Sequence, residues 1–244
     1  GFLLFAICYL LFAIWYADAQ ELSVSIDPTI LQIEATAPSL IKSPISITNQ
    51  SDQNATYSIF LIPFKAKSSS NGEPEFDSSL IEEYKNIFAR VQVSDENQTL
   101  TQITLAPKQK KDLNLSIRIL KDERPKDYYF SVIFISEANE KQNENSLVGA
   151  RAGIGTNVLL SIGPKDQTKG HIQEFSGPFF ATKGPIRFKL NISNKSNHYI
   201  SIKGNLLIKN IFGQTVGNLD ITPSNILAQS NRLIESEDNK DADE

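Results

Sequence analysis

"ISITNQSDQNATYSIFLIPF", residues 45–64, contains the pattern that decides the fold. Ile45 and Ile47 alternate with polar residues, and because successive side chains on a strand point to opposite faces, this part predicts a half-buried strand. Residues 49–54 are short and polar, which favours a turn. Residues 57–64 are rich in the aromatic and β-branched types that suit a pleated sheet. The stretch therefore predicts a β-hairpin.

The same alternation returns along most of the chain and predicts further strands. These are residues 22–26, 31–33, 100–105, 113–119, 128–137, 148–162, 186–192, 200–202, 204–221 and 225–234. Residues 100–105 and 113–119 are predicted to form a second hairpin, and 204–221 a third that turns at 210–213. The chain is therefore predicted to be an all-β protein.

One segment, residues 78–90, departs from this pattern. Its apolar residues recur at helical spacing and predict a short helix between strands. Ser79 and Glu82 have the spacing of a capping box, and Tyr84 and Phe88 are predicted to join a buried aromatic cluster.

The composition sets the class of protein. The 244 residues carry a net charge of -4 without a basic stripe, which argues against a nucleic-acid-binding surface. The first 17 residues are uncharged and lead into a small-x-small pattern, so residues 1–19 are predicted to be a cleaved signal peptide; an uncleaved signal anchor is the alternative. The single cysteine, Cys8, lies in this segment, so the exported chain is predicted to have no disulfide.

Residues with catalytic chemistry are few and scattered. The only histidines are His171 and His198, and a strand would place His171 and Glu174 on opposite faces. The sequence contains neither a phosphate-binding glycine loop nor a nucleophile elbow. We therefore predict no enzyme, no cofactor and no metal site, and an enzyme would require acidic residues gathered from distant segments. Asn-x-Ser/Thr patterns, at Asn49 and Asn194 among others, are interpreted as chance matches rather than modification sites.

Polar, proline- and glycine-containing residues 162–172 predict a domain boundary near Gly163. The predicted domains are residues 20–163 and 164–234, and we leave open that the second is incomplete. Residues 235–244 are acidic and are predicted to be a disordered tail.

Several of these segments, in their order, resemble the N-terminal domain of periplasmic pilus chaperones. They are "SVSIDPTIL" (23–31), residues 45–64, "ITLAPKQKKDLNLSIRI" (103–119), "KDYYFSVIFISE" (126–137) and "GIGTNVLLSIGP" (153–164). The chain is also similar to bacterial surface proteins that add a second immunoglobulin-like domain, among them the cell-wall-binding domains found with WxL-type surface proteins. There the resemblance includes "FKLNISNKSNHYISIKGNLLIKNIFG" (188–213) and "ILAQSNR" (226–232). The resemblance covers about residues 20 to 232 and implies two consecutive immunoglobulin-like β-sandwiches.

In pilus chaperones two basic residues, on the first and last strands of this domain, anchor a subunit's terminal carboxylate. The corresponding positions here, Ile30 and a residue near Leu159, are apolar, so the anchor is expected to be absent. The resemblance implies an exported, non-enzymatic envelope protein that binds a cell-wall polymer or a surface-protein partner. Membrane attachment would come through the N-terminal segment or a missing C-terminal helix. The alternative is a periplasmic chaperone that binds pilin-like subunits by strand addition.

Candidate partner contacts fall in two places. Phe175, Phe179, Phe180 and Tyr199 are candidate contact or interdomain residues of the second domain. Thr156 lies in the predicted edge strand, residues 148–162, which Gly153 and Gly155 are expected to loosen.

Overall fold

The computed structural model describes residues 24–67, 71–136, 153–165, 167–182 and 186–238. The predicted signal segment, residues 1–19, lies outside the described residues, as do 137–152 and 239–244. The protein is all-β and consists of two consecutive immunoglobulin-like β-sandwiches. No described helix is long and apolar enough to cross a membrane.

The described strands follow one another with a single α-helix between them. In chain order they are β1 (Val24–Asp27), β2 (Ile30–Ala35), β3 (Ser39–Asn49), β4 (Ala55–Ala66), β5 (Pro74–Phe76), α1 (Ile81–Phe88), β6 (Val91–Asp95), β7 (Gln98–Thr99), β8 (Gln102–Leu105), β9 (Lys110–Ile119), β10 (Lys126–Ser136), β11 (Gly153–Ile162), β12 (Gly170–Ser176), β13 (Ile186–Asn194), β14 (Ile200–Lys209), β15 (Thr215–Ile226) and β16 (Asn231–Asp238).

The first sandwich packs two sheets face to face. One sheet has the order β1-β3-β9-β6-β7, and the other has the order β2-β11-β10-β4-β5 with β8 added beside β4. The chain passes from the first sheet to the second at Pro28, which has no N–H with which to continue the ladder of β1. The inward side chains form the core; among those almost completely buried are Ile45, Ile47, Leu113, Leu115, Ile117, Phe130, Val132, Phe134, Val158 and Leu160.

The predicted hairpin at residues 45–64 is wrong, although its two strands exist. β3 pairs with β1 and β9, whereas β4 pairs with β5, β8 and β10 in the opposite sheet. The second predicted hairpin fails in the same way, because β8 joins β4 and β9 joins β3. The third is confirmed: β14 pairs with β15 around a turn in which the Gly213 N–H donates to the Asn210 carbonyl.

The predicted helix is confirmed as α1, but its cap differs from the prediction. The Asp77 side chain, not that of Ser79, caps the preceding turn by accepting the Ser79 N–H at 3.0 Å. The Tyr84 ring contacts the rings of Phe88 and Tyr128 edge to face. The predicted aromatic cluster therefore holds α1 against β10.

The second sandwich contains the three-stranded sheet β12-β13-β16 and the two-stranded sheet β14-β15. β16 continues to Asp238, so the predicted acidic tail is a strand over its first residues. This extension pairs with β13, where Lys189 and Glu235 lie opposite each other with Nζ and Oε1 2.9 Å apart.

An asparagine occupies the same structural position in both sandwiches. Asn49, at the end of β3, is completely buried, and its side-chain amide donates to the carbonyls of Leu105, the last residue of β8, and of Ala106, which follows it. Asn194, at the end of β13, is also completely buried and donates to the carbonyls of Ile226 and Leu227 at the end of β15. In each sandwich this amide ties one sheet to the other at the point where the chain crosses between them.

Both asparagines begin an Asn-x-Ser pattern, and their burial gives those patterns a structural role. The side-chain Oδ1 of Asn49 accepts the Ser51 N–H, and the side-chain Oδ1 of Asn194 accepts the Ser196 N–H. An amide that is buried and hydrogen-bonded in the folded chain is closed to modification.

Candidate strand-binding edge and interdomain cleft

The first part of β11 has a free edge among the described residues. β10 pairs with β11 along its whole length, but β2 pairs only with Asn157–Ile162. The Asn157 N–H donates to the Thr29 carbonyl at 2.9 Å and so faces the β2 side. Because the backbone groups of alternate residues face the same side of a strand, the N–H and C=O groups of Gly155 and Gly153 also face away from β10. This is the arrangement that accepts an additional strand.

An apolar surface lies beside this edge on the outer face of the sheet. Gly155 lies opposite Ile133, which in turn lies opposite Phe60, and Gly153 lies opposite Ile135. Phe60 is 47 % exposed, and both isoleucines are partly exposed. Since the glycines have no side chains, they leave Ile133 and Ile135 accessible from the edge.

The two glycines differ in the space around them. A Cβ atom at Gly155 would lie 2.9 Å from the Val132 carbonyl oxygen, so no side chain fits there without a shift. At Gly153 the nearest atoms would be 3.5 Å away, which is ordinary contact. Gly153 can therefore be substituted, whereas Gly155 is required for close strand pairing.

Thr156 is buried, and it is part of the sheet rather than of the free edge. Its backbone faces β10, opposite Val132, and its hydroxyl donates to the Pro28 carbonyl at 2.8 Å. Proline at this position would break the ladder to β10. Gly153 is therefore the position at which strand addition is tested.

The structure does not bring the four aromatic candidates together in one surface. Tyr199 is buried between the two sandwiches, whereas Phe175 is 55 % exposed on β12 and stacks on Phe188 with the ring centroids 6.3 Å apart. Phe179 and Phe180, in the segment after β12, are exposed. Of the four, Tyr199 is the one that packs against the first sandwich, beside Phe64, Tyr129 and Leu159.

A buried carboxylate joins the two sandwiches. Asp127 on β10 accepts hydrogen bonds from the Tyr129 hydroxyl and from the Tyr199 N–H, both at 2.6 Å. The Tyr129 hydroxyl oxygen also accepts the Ala228 N–H at 3.1 Å. Burial, and then the hydrogen bond to Asp127, raises the pKa of Tyr129 far above its usual value, so this hydroxyl stays protonated as a donor. Phe64, Tyr129, Leu159 and Tyr199 form the apolar cluster around these bonds.

Next to this junction is a cleft of about 140 Å³ between the sandwiches. Its lining residues from the first sandwich include Ile30, Phe64, Gly72, Glu73, Asn157 and Leu159, and those from the second include Pro223, Asn225, Ile226, Leu227 and Arg232. The two positions at which the resemblance expects an anchor, Ile30 and Leu159, are therefore both in this cleft, and both are apolar. Asn157 connects the cleft with the free edge of β11.

Arg232 is the basic residue of this lining, and analysis of the sequence did not single it out. Its guanidinium rests on Gly72, where a Cβ atom would lie 2.3 Å from Cζ, and one Nη donates to the Asn225 carbonyl at 2.8 Å. Partial burial lowers the pKa of Arg232 from its usual value. The cleft thus combines apolar walls with one cation.

Groups able to hold a metal ion are not assembled in the part of the chain that the structure describes: no three His, Cys, Asp or Glu side chains lie together. His198 is buried. His171 lies on β12 next to a register shift between Ile172 and Glu174.

Comparisons with known proteins give structural likenesses alone. No family model matches the chain, and no curated protein matches it. Among solved structures, the class 5 fimbriae chaperone CfaA has 11% identity and a TM-score of 0.44, covering 85% of this chain and 83% of that one. The CsuC–CsuE chaperone–tip subunit pre-assembly complex of Acinetobacter baumannii has 11% identity and a TM-score of 0.43, covering 88% of each chain. The E. coli chaperone DraB has 11% identity and a TM-score of 0.40, covering 86% of this chain and 83% of that one.

CfaA is a chaperone of class 5 fimbriae, CsuC–CsuE is a chaperone–subunit complex of Csu pili, and DraB is a chaperone. None of the three is a WxL-associated cell-wall-binding protein. Structural likenesses with TM-scores this low say nothing about what the chain binds.

Proposed function

We propose that this protein binds a β-strand of a partner protein along the free edge of β11, as an exported, non-enzymatic chaperone or assembly factor. The observation that carries the proposal is the unpaired backbone of Gly153 and Gly155 beside the partly exposed Phe60, Ile133 and Ile135. Strand addition gains affinity from backbone hydrogen bonds and specificity from alternate side chains that fit neighbouring apolar positions. Both elements are present at this edge.

Export is part of the same proposal and is supported by the predicted signal segment, residues 1–19. A pilin-like subunit is the partner class of the chaperone alternative stated from the sequence. Binding of a cell-wall polymer through the aromatic residues would rest on Phe175, Phe179 and Phe180, because Tyr199 is buried.

Gly153→Pro and Gly153→Ala form a matched pair that tests strand addition. Both add a Cβ atom at a position with space for it, but only proline removes the N–H that faces the free edge. The ladder to β10 is kept in both variants, because the Gly153 N–H does not face β10. We expect proline to weaken binding about tenfold, the equivalent of one lost backbone hydrogen bond plus a blocked edge, and alanine, which keeps the N–H, to weaken it much less.

The probe is a fluorescent, acetylated peptide of alternating valine and serine, with binding measured by anisotropy. Urea unfolding of each variant checks that the sandwich is intact. Equal binding by the two folded variants would refute strand addition at this edge. If neither variant binds the peptide but both still co-sediment with purified cell wall, that result would support the polymer-binding function instead.

A further inference from the structure

We propose that Asn54 and Asn97 are acceptor sites for an N-linked oligosaccharide on the exported chain. This inference rests on the export part of the proposed function and is independent of strand addition. It assigns a covalent modification to two exposed turns of the first sandwich.

The chain contains six Asn-x-Ser/Thr patterns, and the structure divides them into two groups. Four of the asparagines are enclosed in the sandwiches, two completely buried and two in the middle of strands that pair on both sides: Asn49, Asn194, Asn114 and Asn191. The other two, Asn54 and Asn97, are exposed. A surface loop of an exported chain is the structural context that an acceptor asparagine requires. The structure therefore separates two of the patterns from the rest, which the sequence alone does not.

Asn97 lies in the two-residue turn between β6 and β7. Asp95 pairs with Gln98 across this turn, and Glu96 has a positive φ of 49°. Among the described residues β7 is the outermost strand of its sheet, and residues 96–99 are all exposed. An enzyme can therefore approach both Asn97 and Thr99, the residue that completes the pattern.

Asn54 is the last residue before β4, at one end of its sheet. Thr56, which completes the pattern, pairs with Thr104 of the short β8, and the described pairing of β4 with β10 begins only at Tyr57. The hydroxyl oxygens of Thr56 and Thr104 are 2.9 Å apart in exposed surroundings. Local opening of this strand end breaks the pairing of two residues, so the segment can enter an enzyme's groove while the core stays packed.

Both exposed patterns contain an aspartate two residues before the asparagine, which is Asp52 for Asn54 and Asp95 for Asn97. A carboxylate at this fixed spacing gives a transferase a charged group to pair with a basic side chain beside its acceptor groove. Asp52 is accessible for this purpose, because its ion pair with Lys108 lies on the surface, where such pairs contribute little. Each turn thus offers an amide, a hydroxyl and a carboxylate in one short segment.

The donor class is an oligosaccharide linked to a polyprenyl pyrophosphate. The side-chain amide nitrogen of the asparagine forms a bond to C1 of the first sugar, and the bond between C1 and the pyrophosphate oxygen breaks. The lipid pyrophosphate leaves with the electron pair of that bond, and the amide loses one proton to a base of the enzyme. This step requires an accessible amide nitrogen, whereas those of Asn49 and Asn194 donate to buried carbonyls.

The test adds a purified bacterial oligosaccharyltransferase and its lipid-linked oligosaccharide to the folded chain, and mass spectrometry of proteolytic peptides locates the glycans. We expect modification at Asn54 and Asn97. Thr56→Val should abolish it at Asn54 and leave Asn97 modified, whereas Thr56→Ser, which keeps the hydroxyl, should retain both. Thr99→Val and Thr99→Ser form the same matched pair for Asn97, and urea unfolding checks that each variant is folded.

Asn114 is an internal control, because Asp112 gives it the same extended pattern inside β9. Synthetic peptides of residues 50–58, 93–101 and 110–118 should all be modified, whereas Asn114 in the folded chain should not be. Modification of the peptides without modification of Asn54 and Asn97 in the folded chain would overturn the proposal. Peptides that the enzyme does not modify would overturn these patterns as acceptor sequences, and equal modification of Asn114 in the folded chain would overturn selection by the fold.

A second measurement, on the chain recovered from the envelope of the cells that make it, separates this proposal from strand addition. Unmodified Asn54 and Asn97 would overturn the glycan sites, and a weaker binding of the valine–serine peptide by Gly153→Pro would still support strand addition. Glycans at both asparagines, together with equal peptide binding by Gly153→Pro and Gly153→Ala, would overturn strand addition and leave the modification standing.

Discussion

Asn49→Ala removes the hydrogen bonds that tie β3 to the turn after β8, and the structure allows its cost to be worked out. The amide donates to the carbonyls of Gln53, Leu105 and Ala106 at 2.7, 3.3 and 3.0 Å, and the oxygen accepts the Ser51 N–H at 3.0 Å. The Gln53 carbonyl lies in an exposed turn and can bond to water instead. The other three bonds lie deeper, and at roughly 1 kcal/mol each their loss lowers the free energy of unfolding by about 3 kcal/mol.

The assay is urea unfolding followed by circular dichroism, with Asn54→Ala as the control. Asn54 lies in the same turn but is exposed, so its replacement should change the free energy of unfolding by less than about 0.5 kcal/mol. If Asn49→Ala costs no more than the control, the inference that this amide holds the crossing between the sheets is wrong.

Three further predictions concern the second sandwich, the junction and alkaline pH. Asn194→Ala should destabilise the second sandwich by about 3 kcal/mol in the same assay, because its amide makes the same set of bonds; a loss below about 0.5 kcal/mol would contradict the equivalence. Asp127→Ala leaves the Tyr199 N–H without its acceptor, so small-angle scattering should show a broader range of interdomain arrangements; an unchanged profile would contradict this role. Burial and the nearby Glu123 carboxylate raise the pKa of Tyr128 to about 12. The folded state therefore favours the neutral form, and stability is full below about pH 10 and falls towards pH 12. Between pH 10 and 12 the free energy of unfolding should fall less steeply with pH in Tyr128→Phe than in the wild type, by up to about 1.4 kcal/mol per pH unit. An equal pH dependence of the two proteins would refute the assignment.

Alternation in the sequence predicted where strands lie far better than it predicted which strands pair. The period of two depends on one face of a strand being buried, and in a sandwich both sheets bury one face. Residues 45–64 therefore have the same pattern whether β3 and β4 pair or cross to opposite sheets. The buried amide of Asn49 bonds across to the opposite sheet, and its acceptors there are carbonyls more than fifty residues away along the chain.

The candidate site was predicted in part. The glycines of β11 were found because glycine in a strand weakens packing, and the structure places their backbone at the free edge. Thr156 was assigned to the same edge because the sequence does not indicate which side of the strand each amide faces. Arg232 was missed because the cleft forms from segments separated by up to 200 residues, and a single arginine after "ILAQSN" gives no local signal.

The two sandwiches are built in the same way, so peptide binding by Gly153→Pro also gives information on the second sandwich. The bonds of Asn49 and Asn194 match β3 with β13, β4 with β14, and β8 with β15. In the first sandwich β4 also pairs with β10, but among the described residues of the second sandwich β14 pairs with β15 alone. In the part of the chain that the structure describes, one edge of β14 is therefore also unpaired and is longer than that of β11, and a strand peptide has two edges to which it can bind. Because Gly153→Pro changes only the edge of β11, the peptide binding that it weakens belongs to β11, and a component that keeps the wild-type affinity belongs to β14.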